Sequence, residues 1–414
     1  MTLPVPVSLV VVSRERPAQL SNLLQSLRHQ THKNFEVVLV ADHLPEAFAG
    51  HVKFIPFGIA NISAARNTGI AAASGEVIAF CDDDAIPDPP WLDRLIAPLH
   101  STTVGAATGF TRGRNGISRQ WGAMRFDHSG ADHTFEIDES EPFEIFDAST
   151  DFPVKLLGTN MAFRKDALLD INGFDEAFRF FLDETDAKLR LDAAGWKTAI
   201  VSNAQVQHGF AASARRKRNR VPSDLFEIGA SKAYFCTKHS NDSVDDALRS
   251  FTKEQLSRLT AMVDDYRLQR REVDPLMETL AAGFTEGLNR QTETPLLLSE
   301  PSTFLKFETN QSEHIVICAT PHEAKQASSA ARALTEVGKC VSVIQLLNSP
   351  RYFQVRYKNG YWLHIGGVLG KSVRTQPLVQ FTSYKRRFEA EIARLSKLYP
   401  VDKVIIGPRA TEYR

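Results

Sequence analysis

The first half of the chain alternates short, continuously apolar runs with stretches whose apolar residues recur every three or four positions. Residues 5–12 (VPVSLVVV), 35–40 (FEVVLV), 51–57 (HVKFIPF) and 77–81 (VIAFC) read as buried strands. From Pro17, which suits a first helical turn, Leu20, Leu23, Leu24 and Leu27 share one helix face. An Ala-rich helix follows the third run, with Asn61 or Ser63 as its cap and Gly75 as its stop. Strands that are apolar throughout, with helices between them, indicate a parallel sheet covered on both faces. Ligands of such sheets bind at the carboxyl ends of the strands. Asp42 and the triplet Asp82, Asp83 and Asp84 fall at such ends.

The pattern weakens over residues 104–150, which are rich in Gly, Asp, Glu and Phe. This segment reads as an excursion over the surface or as an acceptor-binding insertion; no chemistry is assigned to His128 or His133. Signal resumes with an extended stretch over 154–163, broken by Gly158, and a short helix over 164–170. Phe180, Phe181 and Leu182 then run into Asp183, Glu184, Thr185 and Asp186, which open a helix that Gly195 stops. A strand over 198–201 is followed by His208 and by the basic run RRKRNR from Arg215 to Arg220. That run reads as a loop closing over a diphosphate, as a solvated loop or as a nucleic-acid patch. Helical spacing covers 223–234, 244–271 and 274–288. Strands over 314–320, 341–346 and 403–406, helices over 321–337 and 385–398, and a hairpin turning at Asn359-Gly360 then form a second α/β unit.

With 414 residues the chain is long enough for two or three domains. A 43% hydrophobic, 24% charged composition is that of an ordinary soluble globular protein. Lys and Arg number 49, as do Asp and Glu, so no bulk attraction to nucleic acid or to anionic membrane is implied. Cys81, Cys236, Cys318 and Cys340 have neither metal-ligand spacing nor a disulfide framework, as suits a reducing compartment. No run approaches the roughly 20 apolar residues of a membrane span, and the N-terminus lacks signal-peptide features. The expected location is cytoplasmic. The acid triplet at the end of 77–81 reads as a site for a hard divalent cation and a diphosphate, or as a solvated acidic turn.

The segments VSLVVVSRERPAQLSNLLQSLRHQ, FEVVLVAD and ISAARNTGIAAASGEVIAFCDDDAIPDPPWLDRL resemble the nucleotide-binding half of a family 2 glycosyltransferase with a GT-A fold, and the likeness extends over about residues 1–240. The resemblance makes Asp82 and Asp84 the acids of an Asp-x-Asp motif holding Mn2+ or Mg2+ against a donor diphosphate, with Asp83 between them as a donor contact. It places Asp42 at the nucleoside, Arg66 near the diphosphate or the acids, and Arg14 among the donor contacts. Thr159 and Asn160 match a segment that lines the donor-sugar pocket. The family's Glu-Asp-x-Asp reads here Asp183-Glu184-Thr185-Asp186, followed by Leu189-Arg190-Leu191 and Gly195-Trp196. The first two acids are exchanged, so the base is Glu184 by position, with Asp183 as the alternative and Asp186 orienting the pair or bonding to the acceptor. His208 matches a third metal ligand.

The implied architecture is a GT-A catalytic domain (1–240) with a Rossmann-like, mostly parallel sheet, a helical connector (241–300) and a partial Rossmann-like α/β domain (301–414). The last weakly resembles the start of a GT-B amino-terminal domain, as a truncated second enzyme or an accessory. The implied function is metal-dependent, inverting transfer from a nucleotide-diphosphate sugar to a glycan or lipid-linked acceptor in bacterial surface polysaccharide synthesis. Nucleic acid is not an expected partner; the inner face of the membrane and other glycan-synthesis enzymes are. The alternatives are a sugar nucleotidyltransferase and a non-catalytic scaffold.

Overall fold

The computed structural model describes residues 4–209, 213–217, 219–240, 243–291, 295–297, 302–310 and 313–407. Its first elements are β1 (Val7–Ser13), α1 (Pro17–Leu27), β2 (Phe35–Ala41), β3 (Lys53–Pro56), α2 (Ile62–Ala72) and β4 (Val77–Cys81). β1 pairs in parallel with both β2 and β4, and β3 extends the sheet beyond β2. Side chains alternate across a strand, so Val7, Leu9 and Val11 pack on the α1 side with Leu20, Leu23, Leu24 and Leu27, whereas Val10 packs on the α2 side with Ala65 and Ile70. Pro17 opens α1, and the Asn61 side chain caps α2 by accepting from the Ala64 N–H at 3.1 Å.

Past β4 the sheet becomes mixed. Asn160–Arg164 pairs antiparallel with β4, then antiparallel with Val104–Arg112, which runs parallel to Lys197–His208; Glu144–Phe146 forms that edge. The expectation that 104–150 is irregular fails at its start. Val104–Arg112 is buried along its whole length in the middle of the sheet. Its sequence, VGAATGFTR, has too few bulky residues to register as an apolar run. The small residues are required by close approach: a Cβ on Gly109 would lie 2.1 Å from the Ala204 carbonyl oxygen and 2.5 Å from Asn160 Nδ2.

A second correction concerns His208, expected beyond a strand over 198–201. The strand is Lys197–His208, with a register shift between Val201 and Gln205 that bends it past the sheet edge. Its last three residues pair with Ala85–Pro87, placing His208 opposite Ala85, next to Asp84.

Helices Phe226–His239, Val244–Asp264 and Val273–Leu288 form a layer beside this sheet. The first and third touch backbone to backbone at Gly229, Gly283 and Gly287, where a Cβ would fall 2.1–2.4 Å from a carbonyl oxygen. The C-terminal sheet has the order Gln354–Lys358, Tyr361–Gly367, Cys340–Leu347, His314–Ala319, Lys403–Ile406, parallel except for the first pair. Asn359 and Gly360, at φ +51° and +82°, make the hairpin turn. This unit docks on the first sheet: Val355 N–H donates to the Arg114 carbonyl (2.9 Å), Gln207 Nε2 to the Val355 carbonyl (2.7 Å) and Asn115 Nδ2 to the Ser372 carbonyl (2.9 Å). No described helix is long and apolar enough to cross a membrane.

The close approach at Gly109 is testable. Gly109→Ala is expected to destabilise the protein by about 1–3 kcal/mol or more in chemical denaturation, because the backbone of a central strand cannot yield as a side-chain tip can. A neutral outcome would show that the strands part at that point.

Candidate active site

Two groups of acids face each other across the carboxyl rim of the sheet. The first follows β4. Asp83 and Asp84 are buried and Asp82 is half-buried. Asp83 turns back toward β1, where Ser13 Oγ and Arg16 Nη1 each donate to it at 2.8 Å. Burial and the neighbouring Asp84 raise its carboxyl to about 6 against the pull of Arg16. It therefore ties β4 to the β1–α1 loop and does not line the cleft, contrary to the donor-contact expectation. Asp82 accepts from Thr159 Oγ1 at 2.7 Å, and Asp84 Oδ1 lies 3.2 Å from His208 Nε2. One ligand atom each from Asp82, Asp84 and His208 fall within 4.8 Å of one another. Two carboxylates and an imidazole suit Mn2+ better than Mg2+. The other ring nitrogen of His208 meets Gln120 Oε1 at 3.0 Å, and the Trp121 ring centroid is 5.6 Å away. A proton on Nδ1, donated to Gln120, leaves Nε2 with its lone pair toward the acids.

The second group opens the Asp183–Ala193 helix. The two residues before it, Phe181 and Leu182, both have positive φ, +75° and +64°. Side chains of that size rarely accept the left-handed region, and such backbone persists only where packing imposes it. Leu182 is buried with Phe126, Phe178 and Phe235, and Phe181 stacks on Phe251 at 6.2 Å. The turn they make aims the first acids at the cleft. Asp183 is bound by the Arg66 guanidinium, which also donates to the Gly158 carbonyl at 3.1 Å and lies over the rings of Phe80 and Phe174. Glu184 is half-buried beside Gly158, where a Cβ would lie 3.7 Å from its Oε2. Burial and the Asp183 charge push its carboxyl up to about 8, with Lys155 and Arg66 opposing. Asp186 points elsewhere. It is bound by Arg190 (2.7 Å), His239 (2.7 Å) and Lys238 (2.8 Å). Burial alone would raise it, but these cations hold it well below the usual carboxylate range. Its visible role is to anchor the helix to the Phe226–His239 helix.

The remaining sequence-expected residues divide. Thr159 reaches the site through Asp82. Asn160 does not: its Nδ2 donates to the Phe110 and Ala204 carbonyls at 3.0 and 2.9 Å, and its Oδ1 accepts from Trp91 Nε1 at 2.8 Å. It staples three strands and α-helix Trp91–Ile96 from inside the sheet, and the sugar-pocket expectation fails for it. Asp42 is exposed at the end of β2 and accepts from the Glu15 N–H at 2.8 Å, so it shares a rim with Arg14. Of the basic run, Arg218 lies outside the described residues. Arg216 is near enough to the acids for Asp84 and Asp82 to offset the burial that lowers it, and Arg215 lies over the Phe180 ring at 4.6 Å. Sequence reasoning missed Ser13, Arg16, Gln120 and Lys155. The first two carried a signal, being at the carboxyl end of β1; the others lie in or beside the irregular segment and carried none.

The mixed α/β sheet, with acids gathered on its carboxyl rim, is a GT-A fold. Residues 8–168 match the profile of glycosyl transferase family 2. The chain is 28% identical over 234 residues to the O-antigen biosynthesis protein RfbC of Myxococcus xanthus, covering 52% of this chain and 18% of that protein. It is 25% identical over 181 residues to a glucosyl-dolichyl phosphate glucuronosyltransferase of Haloferax volcanii, covering 41% and 56%. Among solved structures, it resembles the mannosyltransferase PcManGT from Pyrobaculum calidifontis in complex with GDP-Man and Mn2+, at 14% identity and a TM-score of 0.43, covering 69% of this chain and 88% of that one. The chain thus spans 18% to 56% of the length of these two curated relatives.

The Asn160 assignment is open to a direct check. Asn160→Ala orphans two buried carbonyls and an indole N–H, at about 1–3 kcal/mol each. A loss of roughly 3 kcal/mol or more in stability is expected. Unchanged stability with weakened nucleotide binding would return it to the donor pocket.

Proposed function

We propose that the protein is a metal-dependent, inverting glycosyltransferase that moves a sugar from a nucleoside-diphosphate sugar to a hydroxyl of a glycan or lipid-linked acceptor. The observation that carries this reading is the Gly158-Thr159 turn, which touches both acid groups. Thr159 holds Asp82, and the bare α-carbon of Gly158 faces Glu184 and Arg66. The metal-capable set and the half-buried carboxylate therefore border one cleft, with no side chain at Gly158 to fill it.

Asp82, Asp84 and His208 would hold the divalent ion, and a bound ion supplies Lewis-acid neutralisation of the leaving diphosphate. Ser13 and Arg16 fix Asp83 and so hold the end of β4 in place. Asp42 and Arg14, together at the β1–β2 end of the rim, would meet the nucleoside. Glu184 is the base: its carboxylate takes the acceptor hydroxyl proton as that oxygen attacks the anomeric carbon from the face opposite the leaving group. Asp183 is already committed to Arg66, which favours Glu184 over it for this role. Arg66 in turn holds Asp183 in place, and the Asp183 charge raises the affinity of Glu184 for its proton. The O-antigen relationship of one relative supports a surface polysaccharide as product.

Thermal-shift measurements with UDP, GDP, dTDP, CDP and CMP, with and without Mn2+, test the donor site. Stabilisation by one nucleotide class only with Mn2+, lost in Asp82→Ala/Asp84→Ala, is expected; no stabilisation by any of them would favour a scaffold. With the nucleotide sugar so identified, Glu184→Gln is expected to lower transfer by about 10²–10⁴-fold. The pH profile carries the same assignment. A base must be deprotonated to act, so with its carboxyl near 8 the rate should climb as pH rises toward 8 and then level. Glu184→Gln should abolish that rise; a variant that kept it would assign the titration to another group.

A further inference from the structure

Leu378 and Phe381 stand out of the C-terminal unit at 74% and 94% exposure, with Val379 between them at 42%. Single apolar side chains on a surface need no explanation, but three within four residues form a patch. They lie in the segment that joins Tyr361–Gly367 to the helix Tyr384–Leu398. Its backbone is tied down beneath them. Gly370 and Val379 form an antiparallel bridge, and Gln380 N–H donates to the Leu369 carbonyl at 2.8 Å. Gln376 Oε1 accepts from the N–H groups of Ser372 (2.7 Å) and Val373 (3.2 Å). The segment thus holds its shape while these side chains are left outside.

The charge around the patch has one sign. Residues 337–388 hold nine Lys or Arg and no Asp or Glu, in a chain whose totals are equal. Lys371 and Leu378 flank the same bridge, and Lys371 Nζ reaches the Arg374 carbonyl at 3.4 Å. Lys385 and Arg386 follow Phe381 by four and five residues, in the first turn of the helix. Arg374, Lys385 and Arg386 are exposed and Lys371 is half-buried. Among the described residues none of these four cations makes an ion pair. A first helical turn is already positive from its N–H groups, so cations there cost stability, and no acid in that turn offsets them. The next acids along the chain are Glu389, exposed one turn on, and Glu391, which is buried and taken by Arg387 and Arg394 at 3.2 and 2.9 Å.

An apolar tip flanked by cations fits an anionic bilayer, whose phosphates meet the cations and whose acyl chains take the apolar side chains. It fits a protein partner less well. Three side chains fall far short of the ~800 Å² that a stable interface takes from each partner, and lysine is depleted in such interfaces. We propose that Leu378, Val379 and Phe381 insert into an anionic membrane surface, with Lys371, Arg374, Lys385 and Arg386 on its headgroups. No described helix can cross a bilayer, so this attachment is peripheral and weakened by salt. The proposal goes beyond the transferase reading and does not rest on it.

Sedimentation of the full chain with vesicles tests it. Binding to vesicles of equal parts phosphatidylcholine and phosphatidylglycerol is expected, with little to phosphatidylcholine alone and a fall as salt is raised. Leu378→Ser/Phe381→Ser and Lys385→Gln/Arg386→Gln should each lower that binding about tenfold or more. All four side chains are exposed, so thermal unfolding and Mn2+-dependent nucleotide stabilisation should be unchanged in either variant. In Phe381→Trp, tryptophan emission should shift to the blue with anionic vesicles, because the ring leaves water for the bilayer. No binding to the anionic vesicles, equal binding to both compositions, equal binding by either double variant, or an unshifted emission would overturn the proposal. Self-association of the wild type in solution, lost in Leu378→Ser/Phe381→Ser, would assign the tip to a protein interface and overturn it as well. Failure of Mn2+-dependent nucleotide binding with vesicle binding intact would instead defeat the donor-site reading and leave this surface standing.

Discussion

Carboxylates gathered on one rim of a sheet repel one another, and the placement of that charge organises this molecule. Five acids, Asp82, Asp83, Asp84, Asp183 and Glu184, crowd the same rim. Each is steadied differently: Asp83 by Ser13 and Arg16, Asp82 by Thr159, Asp84 by the His208 ring, Asp183 by Arg66. Glu184 lies against Gly158, and its burial beside the Asp183 charge shows as a raised proton affinity. Removing a cation such as Arg66 would leave its carboxylate uncompensated in a buried setting, which costs far more than an exposed pair is worth.

The architecture serves this rim from several directions. β1 and β4 bring Ser13 and Asp83 together by parallel pairing. The bend in Lys197–His208 and its pairing with Ala85–Pro87 carry an imidazole to an acid more than a hundred residues away in sequence. The left-handed turn at Phe181 and Leu182 starts a helix at the cleft, and the helical layer behind it supplies Lys238 and His239 to hold Asp186. The C-terminal unit braces the loops beside His208 through Gln207 and Asn115.

Legibility in the sequence followed side-chain size. β4 and the strand Lys403–Ile406 fall where their apolar runs begin and end, and α1 follows its leucine stripe. Val104–Arg112 escaped because the packing that buries it demands Gly and Ala, which erase the signal of burial. The acids of β4 and of the Asp183 helix were legible as motifs, but their division of labour was not. Asp83 and Asn160 differ from Asp82 and Thr159 by one position each, and the turns at Asp83-Asp84 and Gly158-Thr159 aim neighbouring side chains in different directions. The strain at Phe181 and Leu182 was also hidden, because nothing in a Phe-Leu pair announces positive φ. Long-range partners such as Gln120 and Lys155 are products of the fold alone.

The central claim is that Asp82, Asp84 and His208 hold one divalent ion at the carboxyl rim. Anomalous diffraction at the manganese edge, from crystals of the full chain grown with Mn2+ and a nucleoside diphosphate, tests it most directly. The account predicts one strong peak among those three side chains with the diphosphate against it. A bound nucleotide with no peak there, or with manganese held by other residues, would contradict it.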